Sequence, residues 1–152
     1  MRLIGVALDH PDAVVLRDAM VAEVAALYSS DRSLAPRDGN SGLDPATIVV
    51  TGLVYEGETP IAHVALRRLG EDLEIKRMFV AVECRGRGLS KYLLEEMERV
   101  AREEGASRII LHTGNRQVAA IALYEANGYT EIEIYEPYVG LPDSLCFEKA
   151  LS

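Results

Sequence analysis

Residues 78–91 read Met78-Phe79-Val80-Ala81-Val82-Glu83-Cys84-Arg85-Gly86-Arg87-Gly88-Leu89-Ser90-Lys91, and the reading of this stretch decides the fold. An apolar strand runs into a short loop of two glycines and two arginines, and a long amphipathic helix follows at once. Glycine lets the backbone come close to a ligand, and the first N–H groups of a helix have no intrahelical partner. With the positive end of the helix dipole and the cations Arg85, Arg87 and Lys91 beside them, these groups predict a cradle for a polyanion such as a pyrophosphate.

On the N-terminal side of this stretch the pattern is a meander. Residues 47–55, 60–69 and 73–82 read as strands, joined by the turns Glu56-Gly57-Glu58-Thr59 and Gly70-Glu71-Asp72. Before them, residues 2–8 suggest a short strand and residues 12–28 a helix. In that helix Val15, Leu16, Ala19, Met20, Val24 and Leu27 recur at helical spacing. The turn-rich segment 29–45 reads as a long loop and a candidate substrate wall. On the C-terminal side, residues 89–104 form a helix burying Leu93, Leu94, Met97, Val100 and Ala101 and ending at Gly105. Residues 108–113 read as a buried strand, 117–126 as a helix capped by Asn127-Gly128, and 130–135 and 144–150 as strands. Three antiparallel strands followed by helix, strand, helix and two strands predict an α/β fold with a mixed, mostly antiparallel sheet flanked by helices.

The composition bounds the rest. A chain of 152 residues, 49% hydrophobic and 26% charged, reads as one soluble domain spanning residues 1–152. Its net charge of -8 argues against nucleic acid or an anionic membrane as partner. The cationic island at 85–91 stands out against that balance, and the acidic remainder suits a cationic substrate. Cys84 and Cys146 make neither a disulfide framework nor, with three scattered histidines, a metal site. No signal peptide or membrane span is read, so a cytoplasmic location is expected.

With this order of elements, the chain resembles the GNAT superfamily of acyl-CoA-dependent N-acetyltransferases. The likeness rests on Arg85-Gly86-Arg87-Gly88-Leu89-Ser90, similar to the family's R/Q-x-x-G-x-G/A loop with Ser90 in place of the final small residue. It rests equally on Ala120-Ile121-Ala122-Leu123-Tyr124-Glu125-Ala126-Asn127-Gly128-Tyr129, similar to A-x-x-L-Y-x-x-x-G-F/Y. The runs 113–117 and 144–149 resemble a bacterial subgroup of the same family. The resemblance implies a GNAT-like sheet in which a splayed strand pair holds the cofactor, acetyl-CoA. Backbone groups of Met78, Phe79 and Val80 would then hold pantetheine, with an N–H near Val80 on the thioester carbonyl. Backbone N–H groups of Arg85, Gly86, Arg87, Gly88, Leu89, Ser90 and Lys91 would hold the pyrophosphate. Asn115 or Gln117 would bond the cofactor further along, and the alternative for Arg85 and Arg87 is a solvated surface pair.

By the same resemblance Tyr124 lies near the CoA sulfur as general acid, since a phenol is a donor at neutral pH. The alternative is a packing tyrosine. The attacking amine must be neutral, so a base is useful. Glu74 is one candidate: strand alternation puts it on one face with Lys76, Met78 and Val80, where Lys76 is also placed to neutralise it. His112 is the other, as a group that titrates near neutrality, against the alternative of a satisfied core histidine. An ordered water remains a third choice, His63 ranks behind these, and His10 reads as a surface turn. The implied function is direct acetyl transfer to a small-molecule or protein amine, with no metal. The rival is a non-catalytic acyl-CoA-binding sensor or assembly module. The acceptor is not legible, and a homodimer is left open.

Overall fold

The computed structural model describes residues 1–28 and 43–152; the expected wall at 29–45 lies almost wholly outside them. The elements run β1 (Ile4–Val6), α1 (Pro11–Leu27), β2 (Ile48–Glu56), β3 (Thr59–Leu69), β4 (Asp72–Val80), α2 (Leu89–Glu103), β5 (Arg108–Gly114), α3 (Val118–Ala126), β6 (Thr130–Ile132) and β7 (Ser144–Ala150). The strands form one sheet in the order β1-β2-β3-β4-β5-β7-β6, antiparallel throughout except for the parallel pair β4–β5. That parallel pair follows from the crossover helix α2, since parallel neighbours need a long connection. Among the described residues no helix is long and apolar enough to cross a membrane.

The sheet buries a core on each face. Leu73, Ile75, Val80, Ile109, Leu111 and Phe147 pack under α2 and α3, against Leu93, Leu94, Met97 and Tyr124. On the other face Leu53 and Phe79 pack against Ala13 and Leu16 of α1. The α1 stripe differs from the expected one. Ala13, Leu16 and Arg17 are buried, whereas Val15 and Leu27 are exposed and Ala19 faces outward. A charged residue, Arg17, thus fills a core position at the i, i+4 spacing from Ala13. His10, expected as a surface turn, caps this helix: its Nδ1 accepts the Asp12 N–H at 3.1 Å, with Pro11 in the first turn.

Two strands depart from the alternation read in the sequence. In β4 the register steps from Ala65↔Lys76 to His63↔Phe79, so Arg77 and Met78 together oppose Val64 in a β-bulge. Arg77 takes φ +53° there. The extra residue reverses the faces. Leu73 and Ile75 share the α2 side with Met78 and Val80, while Phe79 turns to the α1 side. The expectation that Glu74, Lys76, Met78 and Val80 share one face is therefore corrected: Glu74 and Lys76 lie opposite Met78 and Val80. The strand expected over 130–135 ends at Ile132. Tyr135 has left the edge to bring its hydroxyl to buried Glu74, at 2.6 Å.

Candidate active site

The parallel pair β4–β5 holds together for only three residues, Leu73–Ile75 against Ile109–Leu111. Beyond Ile75 and Leu111 both strands continue, β4 to Val80 and β5 to Gly114, without pairing to each other. The sheet opens into a fork. Along β4 the Ala81 N–H donates to Ile61 O of β3 at 2.8 Å. Backbone groups alternate edges along an extended chain, so the Val80 N–H points the other way, into the fork. That donor was legible in the sequence only through the resemblance.

Past the fork, β4 leads through a single 3-10 turn (Val82–Cys84) into the glycine loop. Gly86 and Gly88 have φ +80° and +81°, where only glycine sits without strain, and nothing lies within 4 Å of the position a Cβ would occupy. Gly88 precedes α2, and no side chain caps that N-terminus. The Arg85 N–H is used by Val82 O at 3.4 Å, so the free donors of this turn begin after it. The three cations are not simply solvated. Arg85 donates to Glu23 at 2.7 Å and, through Nε, to Val80 O at 3.0 Å; Arg87 donates to Glu56 at 2.6 Å; Lys91 is 4.0 Å from Glu95. These ion pairs are exposed, and solvent screening leaves such pairs weak, so a polyanion can displace the carboxylates at little cost. A cavity of about 180 Å³ adjoins the loop, lined by Val54, Tyr55, Glu56, Ile61, Arg87 and Leu89 among others.

Tyr124 and His112 lie on opposite faces at the fork. The last paired row across the sheet is Ile75, Leu111 and Phe147. Tyr124 packs on Phe147 (centroids 6.0 Å) in the α2-side core and is only 7% exposed. Its hydroxyl has no hydrogen-bond partner among the described residues, and burial pushes its pKa up to about 12. His112, the next residue of β5, faces the other side. Its Nε2 is 2.8 Å from Ser144 Oγ and its ring stacks on Tyr138 at 3.8 Å. Burial first, then the Lys76 cation, lower its pKa to about 4.

Glu74 stands in that same face, fully buried. Its Oε1 accepts from Arg67 Nε and its Oε2 from the Tyr135 hydroxyl, both at 2.6 Å. Its ion-pair partner is thus Arg67, not the expected Lys76. Lys76 instead donates to the Tyr138 hydroxyl at 2.6 Å, which also accepts from Arg67 at 3.2 Å. Burial lowers the Lys76 pKa to about 8. Both phenols, Tyr135 and Tyr138, are raised well above their ordinary value, burial first and the Glu74 charge next, and stay protonated. Arg67, Tyr135 and Tyr138 were missed in the sequence because they reach Glu74 from separate elements. The one available signal was Arg67, a charge directly after the apolar run Val64-Ala65-Leu66 of its strand.

The remaining expectations are spread out. Asn115 is tied to Asp143, its N–H to the carbonyl at 2.8 Å and its amide to the carboxylate at 3.3 Å. Gln117 starts α3, its N–H bonded to Gly114 O at 3.1 Å. Tyr28, at the end of α1, accepts the Arg116 N–H at 3.0 Å and closes this loop against the helix. His63 lies away from the fork gap, bonded to Arg17 and to the Arg77 carbonyl. Cys84 and Cys146 are both buried thiols, and no cluster of three or more potential metal ligands occurs among the described residues.

Comparison with known proteins bears on the family and the fold. Residues 17–129 match the model of the acetyltransferase (GNAT) family. The chain is similar to the IAA acetyltransferase of Azospirillum brasilense, 34% identical over 142 residues that cover 90% of this chain and 93% of that one. Among solved structures it superposes on one described as an acyl-CoA N-acyltransferase of Klebsiella pneumoniae, with a TM-score of 0.79, 27% identity and 99% and 97% of the two chains covered. The fold is shared with the PaiA N-acetyltransferase of Thermoplasma acidophilum in complex with coenzyme A, at a TM-score of 0.72, 14% identity and 99% coverage of each chain.

Proposed function

The chain belongs to the GNAT acetyltransferase family, and from that premise we propose that it moves an acetyl group from acetyl-CoA directly to an amine acceptor across the fork between β4 and β5. One observation carries the reading: the fork is the opening between two faces of the sheet, with Tyr124 on one and His112 on the other. The residues suit the cosubstrate. The uncapped start of α2 and the open space at Gly86 and Gly88 fit a pyrophosphate, with N–H donors from Gly86 to Lys91. The Val80 N–H, aimed into the gap, fits the thioester carbonyl, whose oxygen gains charge as the amine attacks. Met78 and Phe79 continue the unpaired edge along which pantetheine would lie, and Asn115 and Gln117 border its far side.

Tyr124 meets the departing sulfur. A phenol near 12 passes its proton to a thiolate of ordinary basicity, about 8.5, only uphill. Its contribution is therefore a hydrogen bond to the developing thiolate, with the proton following as the buried surroundings raise the thiol as well. On the acceptor side, His112 is neutral at pH 7 and has an accepting nitrogen. With a pKa near 4 it does not deprotonate an ammonium ion; the amine enters neutral, and His112 or an ordered water takes the proton shed as the C–N bond forms. Glu74 has both oxygens engaged, so its part is to fix Arg67, Tyr135 and Tyr138, and through Tyr138 the His112 ring.

The test is thiol release from acetyl-CoA over a panel of polyamines, amino acids, aminoglycosides and N-terminal peptides, with an amine-free control. Turnover dependent on one class establishes the transfer and names the acceptor type. Tight acetyl-CoA binding without turnover on any amine favours a binding module on the same fold.

A further inference from the structure

The β4 edge of the fork carries a bulge that no glycine supports. Arg77 holds φ +53°, a conformation that a residue with a side chain rarely adopts without help. Its carbonyl is bound by His63 Nδ1 at 2.8 Å, and His63 Nε2 is 3.0 Å from Arg17 Nη1. A guanidinium can only donate, so Nε2 accepts; the neutral ring then carries its hydrogen on Nδ1 and donates it to Arg77 O. Arg17 is itself anchored, donating from Nη2 to Leu8 O. The ring has no freedom left: it is fully buried, with Leu53 of β2 and Phe79 of β4 opposite it in the sheet.

Resting on the proposed transfer reaction, we propose that His63 is a positioning residue: as a fixed neutral tautomer it clamps the Arg77 bulge and so aims the Val80 N–H into the fork. Parity gives the link. Removing one residue of offset between Lys76 and Phe79 would exchange the edges of every later backbone group, turning the Val80 N–H toward β3 and its side chain out of the α2-side core. The charges acting on the ring are Arg17 from α1 and the Arg77 guanidinium from β4, with Asp18 and Asp9 acting in turn on Arg17. A second proton on His63 would oppose N–H to N–H at Arg17, and burial with these cations keeps the ring neutral, its pKa lowered to about 4.

The test compares His63→Gln, whose amide both accepts and donates without titrating, with His63→Ala, alone and in an Arg77→Gly background. The readouts are acetyl-CoA and CoA affinity by calorimetry and the Val80 amide signal on adding each. His63→Ala is expected to lose about tenfold in acetyl-CoA affinity, the worth of one hydrogen bond, and to lose the difference in Val80 response between the two ligands. His63→Gln is expected to stay close to wild type, and Arg77→Gly to soften the effect of His63→Ala, because glycine holds the positive φ unaided. Unchanged acetyl-CoA affinity and Val80 response in folded His63→Ala overturn the proposal, as does an equal loss in His63→Gln. Should His63→Ala not fold, long-range 15N spectra of the wild-type ring decide: hydrogen on Nδ1 with bare Nε2 down to pH 5 is expected, and hydrogen on Nε2 overturns the clamp. That ring measurement stands even if the wild type binds no acetyl-CoA, a result that would defeat the transfer reading instead.

Discussion

The loop at 81–91 and the cluster around Glu74 both flank the fork, but they are built on opposite plans. The loop is exposed, its backbone donors are open, and its cations rest in surface ion pairs that a competing anion can replace. Around Glu74 the carboxylate and Arg67 are buried and held by two partners each at 2.6–3.2 Å, with half-buried Lys76 bonded to Tyr138 beside them. A region that admits and releases a polyanion gains from weak pairs. One that keeps reacting groups in register gains from bonds too costly to break. The difference teaches where substitutions should act: on binding in the first region, on folding and turnover near the second.

The largest expected effect is Glu74→Ala, which strands the Arg67 guanidinium and the Tyr135 hydroxyl in the interior. A loss of about 3–5 kcal/mol in urea unfolding is expected, and a loss under 1 kcal/mol would break the contrast. Tyr124→Phe removes one donor at the sulfur and little packing. Steady-state kinetics should show kcat down about 100-fold, roughly 3 kcal/mol, with acetyl-CoA affinity within about twofold. Acid is the next lever. His63 and His112 have folded pKa values lowered from 6.5 to about 4, so between those limits the unfolded chain binds more protons. Their stabilisation is complete above pH 6.5 and is lost as pH falls toward 4. Unfolding at pH 5 should cost about 2 kcal/mol less per histidine than at pH 7, and His63→Gln should remove its share of that slope. The smallest effect sharpens the comparison from the loop side. Glu56→Gln frees Arg87 from an exposed carboxylate, so the urea midpoint should stay close to wild type while CoA binding tightens severalfold by calorimetry.

The same contrast separates what the sequence made legible. The glycine loop, the meander and α2 are local: turn residues, alternation and helical spacing lie within a few positions of one another, and the strands 48–56 and 59–69 came out nearly as read. The acceptor-side cluster joins residues as far apart as Arg67 and Tyr138, and no local pattern announces that meeting. The Arg77 bulge escaped because its support is His63, fourteen residues away, instead of a glycine, so alternation was carried through β4 unbroken. Arg17 was overlooked because a charge on an apolar helix face reads as an interruption until its partners are seen. Glu74 and His112 were read as site residues, but their environments were not: burial and neighbours, absent from a one-dimensional reading, fix one as an anchor and lower the pKa of the other.

The most direct measurement is a 1H–15N correlation spectrum of the whole chain titrated with acetyl-CoA. Binding of acetyl-CoA in the fork predicts saturable shifts centred on Val80 and on Gly86 to Lys91, with CoA reproducing those of the loop but not the full shift at Val80. Shifts centred instead on the cavity of about 570 Å³ lined by Val6, Asp9, Pro45 and Ile48 among others, or no saturable shift at all, would contradict it.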